Sequence, residues 1–228
     1  MENKVNIYVV VPAYNEENTI SDVITDLKNN NYKNIIVIDD GSTDSTYKIA
    51  KENKTIVIKH PINLGAGAAV KTGTDYALSI GADIIIIFDA DGQHMAKDIN
   101  NLIKPIINKE VDVTLGSRFL DKKSNVPLLK KIILKGGVVL VFLMYGILLT
   151  DAHNGLKALS RKAAERIIIN ARGWEYCSEI IEEIKIKKIK YKEIPVTIKY
   201  SSYSIKKGQK IYNSLNIFLK MIKKWLIE

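Results

Sequence analysis

Four consecutive isoleucines and a phenylalanine, Ile84 to Phe88, are followed at once by Asp89-Ala90-Asp91-Gly92-Gln93-His94. A short, unbroken apolar run suits a strand buried on both faces of a parallel sheet. In open α/β folds the crevice beyond the carboxyl ends of such strands is where ligands bind. Two carboxylates spaced i, i+2 there can share a hard divalent cation, Mg²⁺ or Mn²⁺, which takes substrate phosphate oxygens as further ligands. A lone Asp-x-Asp also fits a solvated acidic turn, so the surrounding sequence decides between the two.

The surrounding sequence repeats the pattern. Val5 to Val11 reads as a buried first strand ended by Pro12, and Pro12-Ala13-Tyr14-Asn15-Glu16 leads into a helix running to about Asn29, with acidic residues in its first turn. Ile35 to Ile38 is a second strand, closed by Asp39-Asp40-Gly41-Ser42-Thr43-Asp44. Gly41 permits a tight turn, Ser42 or Thr43 suits the cap of a helix through Ala50, and Asp44 belongs at that helix's N-terminus. Thr55 to Lys59 is a third strand, after which Asn63-Leu64-Gly65-Ala66-Gly67 opens a helix with small residues. Such a backbone can approach either a phosphate or another helix closely. Lys71, one turn beyond Gly67, faces the same choice between a phosphate and solvent. Alternating strands and helices imply right-handed crossovers and a mostly parallel sheet, with the acidic and Gly-rich turns on one edge. The missing Gly-x-Gly-x-x-Gly counts against a dinucleotide fold, and the missing Gly-x-x-x-x-Gly-Lys-[Ser/Thr] excludes a P-loop NTPase.

With 46% hydrophobic and 26% charged residues in 228, the chain is globular and large enough for one substantial α/β core. A single cysteine, Cys177, excludes an internal disulfide framework and fits a reducing compartment. The start carries no signal-peptide pattern, so a cytoplasmic location is expected. The charge is uneven: residues 1–120 hold 12 Lys and Arg against 16 Asp and Glu, the remainder 22 against 9. An acidic half joined to a strongly basic half points to anionic partners for the second: phosphates, anionic lipid or nucleic acid.

The series Val11-Pro12-Ala13-Tyr14-Asn15-Glu16, Asp39-Asp40-Gly41-Ser42-Thr43-Asp44, Asn63-Leu64-Gly65 and Asp89-Ala90-Asp91-Gly92-Gln93-His94 resembles the family 2 glycosyltransferases of GT-A fold. The likeness continues through Gly116-Ser117-Arg118 and Thr150-Asp151-Ala152-His153-Asn154-Gly155-Leu156-Lys157 and covers roughly residues 5–200. Within that superfamily it is greatest to polyprenyl-phosphate sugar synthases of dolichyl-phosphate mannose or glucose type. The resemblance implies a Rossmann-like, mostly parallel sheet flanked by helices. It also implies inverting, metal-dependent transfer from a UDP- or GDP-linked sugar to a polyprenyl or dolichyl phosphate. Pro12, Ala13, Tyr14 and Glu16 would hold the nucleoside, with Asp39 and Asp40 near the base or ribose. Asp89 and Asp91 would bind the metal on the diphosphate, and Gln93 would sit beside sugar and phosphate. His94 is either a metal ligand or a loop hydrogen-bonder; His60 and His153 have structural or surface roles. Residues 1–118 form the donor half and 119–200 the acceptor half, followed by a polar loop and helix over 201–228.

The acceptor half holds a basic stretch (Lys122, Lys123, Lys130, Lys131, Lys135) and then the apolar run Gly136 to Leu149. As a helix those fourteen residues reach about 21 Å, short of a hydrocarbon core of about 30 Å. The run is a buried core helix or an interfacial one beside a lipid-phosphate site, and the basic approach favours the second. Where similar enzymes carry Gly-Phe-Arg, this chain has Gly155-Leu156-Lys157; lysine lacks the bidentate fork, so Arg118 is the better candidate for a phosphate oxygen. Ile184 to Tyr200 alternates apolar residues with lysines and reads as a hairpin or paired edge strands. The polar loop from Tyr200 to Gly208, with Lys207, is a lid over the diphosphate or a plain connector. Gln209 to Leu226 is a basic amphipathic helix suited to an anionic membrane surface or to docking on the core, so peripheral attachment is expected. A sugar-hydroxyl acceptor would need a base, for which Asp151 and Glu179 are the candidates, whereas a phosphate acceptor needs little deprotonation. A nucleotidyltransferase would carry a Gly-rich Lys/Arg signature after the first strand, and a nucleic-acid binder would leave the acidic strand ends without a role. Nucleic acid is therefore not an expected partner.

Overall fold

The computed structural model describes residues 5–121 and 124–200. Seven strands form among the described residues. They are β1 (Ile7–Ala13), β2 (Ile35–Asp39), β3 (Ile56–Lys59), β4 (Ile84–Ile87), β5 (Val113–Ser117), β6 (Lys157–Ser160) and β7 (Tyr191–Pro195). They make one sheet in the order β3-β2-β1-β4-β6-β5-β7. All pairs are parallel except those of β6, which runs antiparallel to both β4 and β5. The helices are α1 (Ile20–Asn29), α2 (Thr46–Glu52), α3 (Ala66–Ser79), α4 (Ile99–Ile107), α5 (Leu128–Tyr145), α6 (Arg161–Arg166) and α7 (Tyr176–Ile186).

The continuous apolar character of β2 and β4 follows from cover on both faces. Ile84 and Ile86 face one core with Ile24 of α1 and Leu102 of α4, while Ile85 and Ile87 face the other with Val70 of α3 and Ile180 of α7. All four isoleucines of β4 are buried, and at about 1.5–3 kcal/mol each they anchor the strand that carries the Asp-x-Asp turn. In α1 the buried residues Ile20, Val23, Ile24 and Leu27 fall at helical spacing, which directs one face to the sheet.

The structure differs from the sequence reading at several points. β1 runs through Pro12, which lies opposite Ile38 and needs no amide hydrogen there. Neither Ser42 nor Thr43 caps α2. Ser42 Oγ instead accepts the Asn15 amide, and Asp44 takes the Thr46 amide at the helix entry. The expected hairpin over Ile184 to Tyr200 does not form. Ile184 closes the buried face of α7, and β7 is a single edge strand parallel to β5. The apolar run from Gly136 to Leu149 is not one helix either: α5 starts earlier, at Leu128, and ends where Gly146 adopts φ 65°. The polar loop after Tyr200, with Lys207, and the amphipathic segment Gln209 to Leu226 lie outside the described residues.

Candidate active site

The parallel strands bring the ends of β1, β2, β4 and β5 to one edge of the sheet. Because β6 is antiparallel, its beginning lies at that same edge, with Lys157 opposite Ile87. That arrangement sets Gly155 directly against Asp89. A Cβ on Gly155 would lie 2.0 Å from Asp89 Oδ2, so only glycine lets the two segments approach this closely. Gly155→Ala is accordingly expected to displace the Asp89 carboxylate and cost at least about tenfold in activity. A variant with unchanged kcat/KM would argue against a role for that geometry.

Asp89 accepts a hydrogen bond from His94 Nε2 at 3.0 Å through Oδ2, while its buried Oδ1 has no hydrogen-bond partner among the described residues. Burial opposes its ionisation, but the His94 bond and the charges of His94, Lys157 and Arg118 outweigh burial and hold the carboxyl below its usual range. Asp91 behaves oppositely: burial and then the charge of Asp89 push its pKa up to about 6. Its carboxylate takes the Gln93 amide at 3.0 Å and Gln93 Nε2 at 2.7 Å, so Gln93 orients Asp91. His94 makes the loop hydrogen bond, to the carboxylate of Asp89. Two adjacent carboxylates, one with an oxygen lacking a partner among the described residues and the other with its pKa raised by burial and by its neighbour, suit a divalent cation. Among the described residues no group of three or more metal-ligating side chains occurs, so a cation held by Asp89 and Asp91 would take its remaining ligands from substrate or water.

The turns after β1 and β2 brace each other. Asn15 Oδ1 accepts the Thr43 amide, Glu17 Oε2 accepts the Ser45 amide, and Thr46 Oγ1 accepts the Glu16 amide. Tyr14 is exposed and Ala13 buried at the mouth of this pair of turns. Glu16 lies near enough to Asp91 for its charge to act there. Asp39 is fully buried, yet neither carboxylate oxygen has a hydrogen-bond partner among the described residues; Lys59 Nζ stands 3.7 Å away. Asp40 is different, because its oxygens accept the Leu64 and Gly65 amides and bond His60 Nδ1 at 2.7 Å. Asp40 therefore shapes the turn after β3 and has little capacity left for a ligand.

Gly65 and Gly67 approach another piece of chain. Arg172 O accepts the Gly67 amide at 2.7 Å, and a Cβ on Gly65 would meet that carbonyl at 2.3 Å. The phosphate alternative at this helix start gives way to chain packing. Lys71 faces solvent and pairs with Asp75 at 2.6 Å, away from the carboxylates. Glu179 accepts the Asn170 and Ala171 amides, so it pins the same loop that Arg172 packs from.

Arg118 is turned inward. Its Nε donates to Asp151 Oδ2 at 2.6 Å, its Nη1 to Tyr200 Oη at 3.3 Å and its Nη2 to the His153 carbonyl at 3.1 Å. Each guanidinium nitrogen has a protein partner, which leaves one N–H on each of Nη1 and Nη2 for a further acceptor. Burial opposes the Asp151 charge, but the Arg118 charge and hydrogen bonds outweigh it and hold this carboxyl below its usual range. Burial drives His153 down to about 4, so it is neutral at physiological pH. Lys157 is buried too, donating to the Asn154 carbonyl and lying over the Tyr176 ring at 5.5 Å.

Two residues escaped the sequence reading as members of this group. Glu193 of β7 accepts from the Thr150 amide and hydroxyl and from the Asp151 amide, fixing the Asp151 loop from 42 positions away. Lys130, on the first turn of α5, lies over the Tyr200 ring at 4.9 Å and near both Arg118 and Asp91. Burial, then the Arg118 charge, lowers its pKa, while Asp91 opposes that. The basic stretch marked Lys130 as cationic, but no local pattern distinguished it from its neighbours.

This edge, with a buried acidic pair between braced turns, is accompanied by a sequence match to the model of glycosyl transferase family 2 over residues 8–168. The chain belongs to that family. Among its relatives is the UDP-N-acetylglucosamine–dolichyl-phosphate N-acetylglucosaminyltransferase of Methanococcus voltae, 40% identical over 237 residues that cover 95% of this chain and 94% of that one. The dolichol-phosphate mannosyltransferase of Pyrococcus furiosus is 30% identical over 234 residues, 95% of this chain and 64% of its own. A crystal structure of glucosyl-3-phosphoglycerate synthase from Mycobacterium tuberculosis, in complex with Mn²⁺, UDP-glucose and phosphoglyceric acid, superposes with TM-score 0.72 at 18% identity. The overlap covers 97% of this chain and 80% of that one. The enzyme is thus a glycosyltransferase with the GT-A fold.

Proposed function

We propose that this glycosyltransferase moves a sugar from a nucleoside-diphosphate donor to a lipid phosphate, working against a membrane surface. The observation that carries the reading is a junction. Asp91 of the acidic pair lies near Lys130, and Lys130 stands in the first turn of a helix whose outer face is apolar and exposed. Leu128, Ile132, Val139 and Leu143 form that face, with Leu148 just beyond it. Among the described residues no helix is long and apolar enough to cross a membrane, which leaves this face suited to lying in the interface.

Asp89 and Asp91 would hold Mg²⁺ or Mn²⁺ on the donor diphosphate. A divalent ion there stabilises the negative charge that gathers on the leaving group. Asp39 offers two buried acceptor oxygens to N–H or O–H groups of the nucleoside, with Tyr14 at the mouth of the same crevice. Lys130 supplies a partly desolvated cation where an acceptor phosphate would approach. A phosphate oxygen is already anionic, so the attack needs no base. Asp151 is bound to Arg118 and holds its proton weakly, and Glu179 is engaged by backbone amides, so neither is well placed to deprotonate a sugar hydroxyl. The names of the Methanococcus and Pyrococcus relatives, both dolichol-linked, support the lipid acceptor.

The direct test is transfer from UDP- and GDP-sugars to a short polyprenyl phosphate, with a free oligosaccharide as the competing acceptor. Product on the oligosaccharide alone would overturn the reading. Calorimetry should give UDP or GDP at least about tenfold tighter binding with Mn²⁺ than with EDTA; equal affinities would remove the cation from the donor site. Placing glutamates at Ile132 and Leu143 should reduce sedimentation with anionic vesicles severalfold while leaving donor affinity intact, because each apolar side chain gives up about 1.5–3 kcal/mol of burial. Unchanged sedimentation would exclude α5 as the contact.

A further inference from the structure

The geometry points to a second anion site at the opposite edge of the sheet, which takes a small, multiply charged ligand of the phosphate class. Asp83 and Asp89 bracket β4 and stand about 20 Å apart along it, so this site is remote from the catalytic carboxylates.

A cavity of about 510 Å³ opens there between the segment after α4, the start of α6 and the turn from α7 into β7. Its lining includes Lys109, Arg161, Lys162, Arg166, Lys188 and Lys190. The two lining carboxylates are engaged internally. Asp83 accepts the Asn6 amide at 2.8 Å, and Asp112 accepts the Ser160 hydroxyl at 3.3 Å with Lys162 at 3.8 Å. Both arginines are fixed as well. Arg161 binds Glu165 at 2.8 Å and the Ala82 carbonyl at 3.2 Å, and Arg166 binds the Lys187 carbonyl at 2.5 Å. The side-chain ammonium groups of Lys109, Lys188 and Lys190 have no hydrogen bond or ion pair among the described residues, although all three border one concavity. Lys109 and Lys188 each sit in a left-handed turn, with φ of 60° and 50°, closed by backbone bonds to Ile106 and Lys185.

Six cations against two engaged carboxylates leave a strong positive potential focused in a recess. Three unpaired ammonium groups repel one another, and a polyvalent anion relieves that repulsion with several charge-assisted hydrogen bonds. The volume matches that of small-molecule sites, roughly 300–1,000 Å³. Its concave shape fits a small ligand better than a protein face or a bilayer.

The test uses pyrophosphate as the probe, titrated into the full chain by calorimetry in buffer free of divalent cations. One saturable site per chain is expected. Replacing Lys109, Lys188 and Lys190 by glutamine should weaken binding at least about tenfold, whereas the triple arginine variant should keep it. A control that neutralises Lys33, Lys48 and Lys97 instead has the same net charge and should bind within about twofold of wild type. No saturation by about 5 mM, or equal weakening in the two neutralised variants, would overturn the site. So would a neutralised cavity that still binds pyrophosphate but no longer binds phosphatidylserine vesicles, because the patch would then be a membrane contact.

Discussion

Asp91→Asn is expected to lower sugar transfer at least about a hundredfold, since a lost ligand to the cation removes several kcal/mol of transition-state stabilisation. The same substitution should raise the melting temperature of the metal-free enzyme at alkaline pH. Burial and the neighbouring Asp89 lift the Asp91 pKa to about 6, well above the usual carboxylate range. A raised carboxyl favours its protonated form in the folded state. The stability linked to that proton is complete below the unfolded pKa and is lost as pH climbs through about 6. By pH 8 the ionised side chain costs up to about 3 kcal/mol, a cost that a neutral asparagine does not carry. Added Mn²⁺ should restore the wild type and leave the variant unmoved. Melting curves at pH 5 and pH 8, with EDTA or Mn²⁺, measure each part. Turnover above about a tenth of wild type, or a Mn²⁺-dependent melting shift that survives in the variant, would sink the assignment.

Arg118→Met should destabilise the fold by about 3–5 kcal/mol, because it leaves Asp151 buried without its counter-ion. In a chain of this size that corresponds to a fall in melting temperature of roughly 6–20 °C. The Asp151 carboxyl lies below its usual range through Arg118, so its stabilising contribution is present above the unfolded pKa and lost as pH falls through the folded one. Without Arg118 the buried group would protonate more readily, and the deficit should shrink towards pH 5. Adding Asp151→Leu to the variant should recover part of the loss, since breaking one side of a buried pair costs more than removing both. A deficit below about 1 kcal/mol would mean that the pair is solvated like a surface ion pair.

The local features of this enzyme were legible in its sequence because their causes are local. Ile84 to Ile87 forms a fully buried strand, since an unbroken apolar run is stable only with cover on both faces. Gly41 turns the chain with φ 72°, and α1 follows the spacing of Ile20, Val23, Ile24 and Leu27. Right-handed crossovers then require the Asp39 and Asp89 turns to share an edge. Where local signals coincide, the reading failed: the apolar–lysine alternation around Ile184 served equally for the end of α7 and for an edge strand.

What only the tertiary structure decided are the contacts between segments distant in sequence. The antiparallel insertion of β6 between β4 and β5 brings Gly155 onto Asp89 and draws Lys157 into the interior. Arg118 meets Asp151 across 33 positions and Tyr200 across 82, which seats it in a buried ion pair that no local pattern foretold. The same packing closes Arg172 over Gly65, leaves Lys71 in solvent and brings Lys130 beside Asp91. Periodicity and turn chemistry encode the strands, helices and turns that present charged groups. Which of those groups neutralise one another, and which remain for substrate, depends on strand order and helix docking, where burial makes each unpaired charge costly and so selects its partner.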